Sequence, residues 1–169
     1  EVFPTRLRED SQAAGRWETA QGGEYFAAGV GGAITGRGAD LLIIDDPHSE
    51  QDALNLTALE RAYEWYTSGP RQRLQPGGTI VCVMTRWNVK DLTGMLLSHQ
   101  KEAKSDQWEL IEFPAIMPSG KPVWPEYWKL KELETVKASI SVGKWNAQWM
   151  QNPTSEEGAI IKREWWKNW

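Results

Sequence analysis

Two runs of consecutive aliphatic residues stand out in the hydrophobic pattern of this chain. Residues 41–44 are Leu-Leu-Ile-Ile, and residues 79–84 are Thr-Ile-Val-Cys-Val-Met. Each run ends directly on polar side chains. Unbroken apolar runs of this length are typical of strands in the middle of a parallel sheet that helices cover on both sides. We therefore predict two parallel strands, each buried on both faces.

A helical period follows each of these runs. Ser49 and Asp52 have the spacing of a helix start after the first run, and Asn88 and Asp91 repeat it after the second. The apolar positions predicted to share a helix face are Leu59, Ala62 and Tyr66 in the first helix and Leu92, Met95, Leu96 and His99 in the second. The order strand, helix, strand, helix predicts an α/β fold, with a parallel sheet flanked by helices.

The segments beside this unit are less regular. Residues 1–23 show no sustained period, residues 24–28 suggest a short strand, and residues 29–38 form a glycine-dense connection. This connection does not match a phosphate-binding loop, because no glycine-rich turn in it ends in Gly-Lys-Ser or Gly-Lys-Thr and opens a helix. Residues 108–113 alternate in polarity and predict an edge strand.

The C-terminal third predicts an irregular, tryptophan-rich extension. Residues 127–140 have the spacing of a peripheral helix, and Trp145 with Trp149 mark another helix that stops before Pro153. Six of the eleven tryptophans lie between positions 124 and 166, and a seventh is Trp169. This clustering predicts a satellite aromatic core.

Composition narrows the function classes. The chain has 169 residues, of which 40% are hydrophobic and 25% charged, as expected for one globular domain. No run approaches the ~20 apolar residues of a membrane span. Cys82 is the single cysteine, which excludes a disulfide framework and a cysteine zinc site. The formal charge of −4 gives no overall attraction to nucleic acid.

The polar residues that end the two strands carry the candidate chemistry. Asp45 and Asp46 follow the first strand, and Thr85 and Arg86 follow the second. Ligands of α/β proteins bind at the carboxyl edge of the sheet, where two carboxylates suit a magnesium nucleotide. A hydroxyl and a guanidinium at the same edge suit a phosphate that is being cleaved.

Simpler roles for the same four residues remain open at this point. Asp45 and Asp46 would then only cap the following helix. Thr85 would only terminate its strand, and Arg86 would form an ion pair with Asp45 or Asp46.

The order of motifs resembles a known family. The run from Gly36 through Arg37 to Asp45-Asp46-Pro47, then Trp65-Tyr66, then Thr85-Arg86-Trp87 with Asp91-Leu92-Thr93-Gly94, looks like the ATPase half of the large terminase subunit of tailed bacteriophages. The late stretches 148–153 and 158–162 resemble the passage from that motor domain toward its nuclease domain. The resemblance covers nearly the whole chain.

This resemblance implies an ATP-driven motor that packages viral DNA. Asp45 would bind Mg²⁺ at the end of the Walker B strand, and Asp46 would activate the attacking water. Thr85 would begin the motif that couples hydrolysis to movement, and Thr85 and Arg86 would contact the nucleotide. Arg37 corresponds in position to an arginine that reaches the ATP of a neighbouring subunit.

The resemblance also implies a domain organisation and partners. Residues 1–150 would be the C-terminal part of a P-loop NTPase-like domain without its Walker A loop, and residues 151–169 a linker toward a nuclease domain. The cofactors would be ATP and Mg²⁺, with ATP bound weakly or not at all without that loop. The expected partners are double-stranded viral DNA, the capsid portal, the small terminase subunit and further copies in a ring, in the host cytoplasm and without a membrane.

Three departures from the family pattern qualify these roles. Asp46 stands where a glutamate is common, and Asn88 where a histidine is common. The chain has no Walker A lysine and no set of nuclease carboxylates. Two alternatives follow: a magnesium-dependent nuclease that uses Asp45 and Asp46, with Asp40 and Asp91 as the nearest further acids, and a non-catalytic module that contacts DNA or assembles a ring.

Overall fold

The computed structural model describes residues 4–102 and 104–154, and its fold is mixed α/β. The five strands of this part of the chain are β1 (Leu7–Ala13), β2 (Arg16–Thr19), β3 (Glu24–Phe26), β4 (Ala39–Asp45) and β5 (Leu74–Val83). Its α-helices are α1 (Leu56–Ser68), α2 (Leu92–His99), α3 (Leu130–Ser139) and the short α4 (Val142–Lys144). Two 3₁₀ turns, Asp52–Leu54 and Pro70–Arg73, and a π-helical turn, Trp145–Trp149, complete the description.

The parallel pair that the sequence predicts is confirmed. β4 and β5 form a two-stranded parallel sheet in which Ile43 pairs with Val81 and Asp45 with Val83. The pairing is irregular near its start, because it shifts from Ala39 opposite Leu74 to Leu41 opposite Thr79. The two strands are back in register along their carboxyl halves, so their last residues lie side by side.

Both helices that follow the strands pack on one face of this sheet. Ile44 of β4, Tyr66 of α1, and Leu92 and Leu96 of α2 form the buried core. α1 ends at Ser68, and Leu59, Ala62 and Tyr66, which were predicted to share a face, are its buried residues. The helix start is not where we predicted it. Ser49 and Asp52 bond each other ahead of the short 3₁₀ turn, and α1 begins after that turn.

The prediction that both faces of the sheet are buried is wrong for the described part of the chain. Leu41 and Ile43 are 55% and 59% exposed, and Val81 and Val83 opposite them are 42% and 54% exposed. Since α1 and α2 both contribute to the core on the Ile44 side, the other side of the sheet is left apolar and open.

A second correction concerns the N-terminal segment. Within residues 4–23, β1 and β2 form an antiparallel hairpin that β3 extends to three strands. Trp17 stacks on Tyr25 with their ring centroids 4.8 Å apart, and Arg8 pairs with Glu18 across β1 and β2. Most residues of this sheet are exposed on both faces, so its strands lack the alternation that would reveal them in the sequence.

The segment 108–113 is not a strand, contrary to the prediction. It is irregular, and of its six residues only Trp108 packs against the core. The peripheral helix begins at Leu130, later than predicted.

The aromatic core is present in the described part of the extension. Trp145 is 3% exposed and stacks on Trp149, which also meets Trp128 edge to face. Residues 155–169, most of the predicted linker, lie outside the described residues. None of the described helices is long and apolar enough to span a membrane.

Candidate functional site

Asp45 ends β4 on the open face of the sheet. Side chains alternate along a strand, so Asp45 shares the face of Leu41 and Ile43, whereas Ile44 points into the core. Its carboxylate is exposed and has no hydrogen bond or ion pair with any described residue. A free carboxylate at the carboxyl edge of a parallel sheet fits Mg²⁺, which is usually held by one or two carboxylates plus water and phosphate oxygens.

Asp46 turns the chain toward β5. Its φ of 42° lies in the left-handed region, which aspartate tolerates better than most residues. Its N–H donates to the carbonyl of Val83 at 2.9 Å, and its Oδ1 accepts the N–H of Thr85 at 3.3 Å. The turn therefore brings Asp46 and Thr85 together, as the parallel pair predicts.

Arg86 lies at the same edge, but its guanidinium is bound elsewhere. Nε is 3.0 Å from Oδ2 of Asp91, and the two side chains are 13% and 0% exposed. Neither Asp45 nor Asp46 is its partner, so the alternative ion pair considered from the sequence is not the one formed. Because this pair is buried, releasing the guanidinium to a nucleotide would leave an uncompensated carboxylate at Asp91.

Asp91 organises the start of α2. Beyond Arg86, its carboxylate accepts the backbone N–H of Trp87 at 2.9 Å, of Asn88 at 3.2 Å and of Gly94 at 2.8 Å. The predicted capping role of Asp91 is therefore confirmed. Asn88 contributes less, because its Oδ1 accepts only the N–H of Lys90 in this turn.

The segment after β5 has an unusual set of hydrogen bonds. The four consecutive amides of residues 85–88 all donate to side-chain oxygens. Those oxygens belong to three separate parts of the chain: Asp46 after β4, Gln151 near the C-terminal end of the described residues, and Asp91 at α2. We call residues 85–88 the amide segment. It joins the strand edge to α2 and to the extension.

His48 is a site residue that the sequence analysis missed. It is 6% exposed, and its Nε2 accepts the N–H of Leu92 at 2.8 Å. Burial lowers the pKa of this imidazole, against the opposing effect of Asp91 and Asp52, and the acceptor role requires the neutral ring. The bond ties the chain just after Asp46 to the first turn of α2. The one sequence signal was a histidine directly after Asp-Asp-Pro.

Arg37 is not brought to this edge. It precedes β4, and its guanidinium pairs with Glu24 and lies 4.1 Å from the ring centroid of Phe26. The six residue steps from Ala39 to Asp45 span about 20 Å at the usual rise of a strand. The length of β4 therefore excludes a contact between Arg37 and this chain's own Asp45 site, so any action of Arg37 on ATP would have to be at the site of another subunit.

A cavity of about 650 Å³ extends from this edge along β5. Asp46, Thr85, Arg86 and Gln151 line it, together with apolar residues of β5, α2 and the segment 108–113. Among the described residues, no group of three or more His, Cys, Asp or Glu side chains is placed to hold a metal ion. If Asp45 holds Mg²⁺, water and phosphate oxygens would have to complete the coordination.

Comparisons with known proteins add no identification. No protein-family model matches the chain, and a search of curated proteins returned no match.

Proposed function

We propose that this chain is the metal-binding and coupling half of a P-loop NTPase-like motor, the ATPase of a phage large terminase subunit that packages DNA. The observation that carries the proposal is the shared edge of β4 and β5. Asp46 accepts the Thr85 amide there, and the unpartnered Asp45 ends β4 at the same edge, at the carboxyl ends of two parallel strands. This is where α/β proteins bind nucleotides.

Asp45 and Asp46 have different roles in the proposed reaction. Asp45 would hold Mg²⁺, which neutralises charge on the phosphates of ATP when bound. The carboxylate of Asp46 accepts a proton from the attacking water. In the structure Oδ1 of Asp46 accepts the Thr85 N–H, so a proton taken up by this carboxylate removes the negative charge that faces the amide and weakens that bond. The state of the reaction is thereby reported to the amide segment.

The rest of the motor follows from the same proposal. A phosphate-binding loop with its lysine, which these 169 residues lack, would come from another part of the motor. The partners would be double-stranded viral DNA, the capsid portal and the small terminase subunit. The protein would act as a homo-oligomeric ring in the host cytoplasm.

Three variants of the assembled motor test this function. Asp45→Ala removes the metal ligand and Asp46→Asn removes the base, so each should lower ATP turnover by about 10²-fold or more and stop packaging. Asp40→Asn is the matched control, because it makes the same carboxylate-to-amide change at the other end of β4. Its turnover should stay within about twofold of the parent.

The outcomes separate the alternatives. Wild-type turnover in Asp46→Asn would reduce Asp46 to a turn residue. Equal turnover and packaging in all three variants would refute the proposal. A parent motor that binds DNA and forms rings but hydrolyses no ATP would indicate the non-catalytic module, and magnesium-dependent DNA cleavage that Asp45→Ala abolishes would indicate the nuclease.

A further inference from the structure

Gln151 makes two hydrogen bonds that fix its side-chain amide at both ends. Its Oε1 accepts the N–H of Arg86 at 3.2 Å, and its Nε2 donates to the carbonyl of Gln148 at 2.6 Å. The first bond joins residues that are 65 positions apart in the chain. The second attaches the same side chain to the π-helical turn Trp145–Trp149.

The backbone of Gln151 is held in an unfavourable conformation. Among the described residues, only Gln151 and Asp46 combine a side chain with a positive φ, 55° and 42°. Glutamine lacks the short polar side chain through which asparagine and aspartate favour this region, so strain of this kind persists only where the surroundings impose it. The two strained residues bind adjacent amides, Arg86 and Thr85.

We infer that Gln151 is a positioning residue that transmits the state of the Asp46–Thr85 contact to the C-terminal extension. The inference deepens the proposed function and rests on it for its mechanical consequence. When the bond between Asp46 and the Thr85 amide weakens, the peptide unit that joins Thr85 to Arg86 can reorient, while Asp91 still holds the Arg86 guanidinium and the next two amides. Gln151 responds because its Oε1 is bound to the Arg86 amide.

Hydrogen bonds and aromatic packing connect Gln151 to the rest of the extension. The N–H of Met150 donates to the carbonyl of Trp145 at 3.1 Å, and the N–H of Asn152 donates to the carbonyl of Asn146 at 2.8 Å. Trp145 is buried and stacks on Trp149. A displacement at Gln151 therefore acts on a packed aromatic cluster instead of on a loose end.

Glycine substitutions isolate the side-chain contacts from the strain. Gln151→Gly and Asp46→Gly each remove an acceptor while leaving a residue that adopts a positive φ freely, so both are expected to fold. Gln100→Ala is the control, because Oε1 of Gln100 also accepts a backbone amide, that of Trp108 at 3.0 Å, which is not one of the amide segment.

The first measurement is amide hydrogen exchange, which requires no ATPase activity. Gln151→Gly should speed exchange at Arg86 by roughly 3- to 10-fold, and Gln100→Ala should leave Arg86 unchanged. A role confined to the extension predicts no change at Arg86 in Gln151→Gly, and that result would overturn the inference.

A double-mutant cycle then tests transmission. Introduced into the parent chain, Asp46→Gly should shift the NMR resonances of the Met150 and Asn152 amides. Introduced into the Gln151→Gly variant, the same substitution should shift them at least about threefold less. Shifts that are absent in the parent, or that are equally large in both backgrounds, would overturn the inference. The proposed ATPase function is not involved in this cycle.

The motor supplies the mechanical readout. DNA packaged per ATP hydrolysed should fall about fivefold or more in Gln151→Gly and remain at the parent value in Gln100→Ala. An unchanged ratio in Gln151→Gly would contradict the relay. If the parent motor hydrolyses no ATP, the proposed function fails, and the cycle at Asp46 and Gln151 still decides whether Gln151 positions the edge.

Discussion

The two ends of β4 present polar groups in opposite states. At the amino end, Arg37 is held by Glu24, which also pairs with Arg16 at 3.2 Å. At the carboxyl end, Asp45 has no partner among the described residues, and Asp46 makes a single long bond through its side chain. The arginines at the amino end are paired within the chain, whereas the two adjacent carboxylates at the carboxyl end remain available. Asp40, near the amino end, is a further carboxylate without a partner among the described residues, but it stands alone there.

Under the proposed function, this difference favours the carboxyl end of β4 as the catalytic end. The available carboxylates sit on a rigid support, since Asp91 and His48 hold the neighbouring residues and the start of α2 through buried contacts. A metal site needs free ligands on a fixed frame. The carboxyl end meets both conditions, whereas the amino end offers ion pairs on an exposed three-stranded sheet.

The largest difference in stability is expected between the ion pairs of the two ends. Asp91→Ala leaves the guanidinium of Arg86 buried without its carboxylate, so the free energy of unfolding should fall by about 3–5 kcal/mol. Glu24→Ala breaks exposed pairs only and should cost less than about 1 kcal/mol. Urea denaturation measures both, and equal losses would show that the two ends are not built differently.

A catalytic role of Arg37 would contradict the difference drawn between the two ends of β4. If it acts on the ATP of a neighbouring subunit, Arg37→Ala should lower the turnover of the motor by about 10³-fold. Arg16→Ala is the matched control, because Arg16 pairs with the same Glu24. Mixed rings of Arg37→Ala and Asp46→Asn subunits should then recover activity.

Recovery in mixed rings is the decisive feature of that experiment. Only an arginine acting across a subunit boundary lets two inactive variants restore turnover together. If Arg37→Ala and Arg16→Ala have equally small effects, Arg37 serves the N-terminal sheet, and the amino end has no catalytic part.

His48, near the carboxyl end of β4, should make the free energy of unfolding depend on pH. Burial lowers its pKa from the ordinary value of 6.5, so the unfolded chain takes up a proton that the folded chain does not. The free energy of unfolding should therefore be level above pH 6.5 and fall as the pH is lowered from there toward the depressed pKa. His48→Gln should remove this slope while keeping an acceptor for the Leu92 amide.

The other histidine supplies the control. His99 is an exposed residue whose ring stacks on that of Tyr63. His99→Gln should leave the acid slope in place. A slope that survives His48→Gln but disappears in His99→Gln would contradict the assignment.

The sequence predicted the parts of this molecule that repeat a simple pattern. The two apolar runs and the helical spacing of Leu59, Ala62 and Tyr66 gave the parallel pair and its core. Parallel pairing alone then placed Asp46 beside Thr85. The N-terminal hairpin was missed because both of its faces are polar or exposed, and no buried side imposes alternation on its residues.

The long-range polar contacts were beyond the reach of any local pattern. The bond from Gln151 to Arg86 depends on how the extension folds back. The bond from His48 to Leu92 depends on how α2 docks. The wrong prediction that both faces of the sheet are buried has a different cause. Apolar residues such as Leu41 and Ile43 are usually buried, but their residue types do not show which other element covers them.

The most direct test of the account is to locate a divalent cation on the chain. Mn²⁺ substitutes for Mg²⁺ and broadens the NMR signals of nearby nuclei. Titrated into the protein, it should first broaden the amides of Asp45, Asp46 and Thr85, and Asp45→Asn should abolish that effect while Asp40→Asn preserves it. Broadening that begins at the amino end of β4, or that is unchanged by Asp45→Asn, would contradict the claim that the carboxyl end binds the metal.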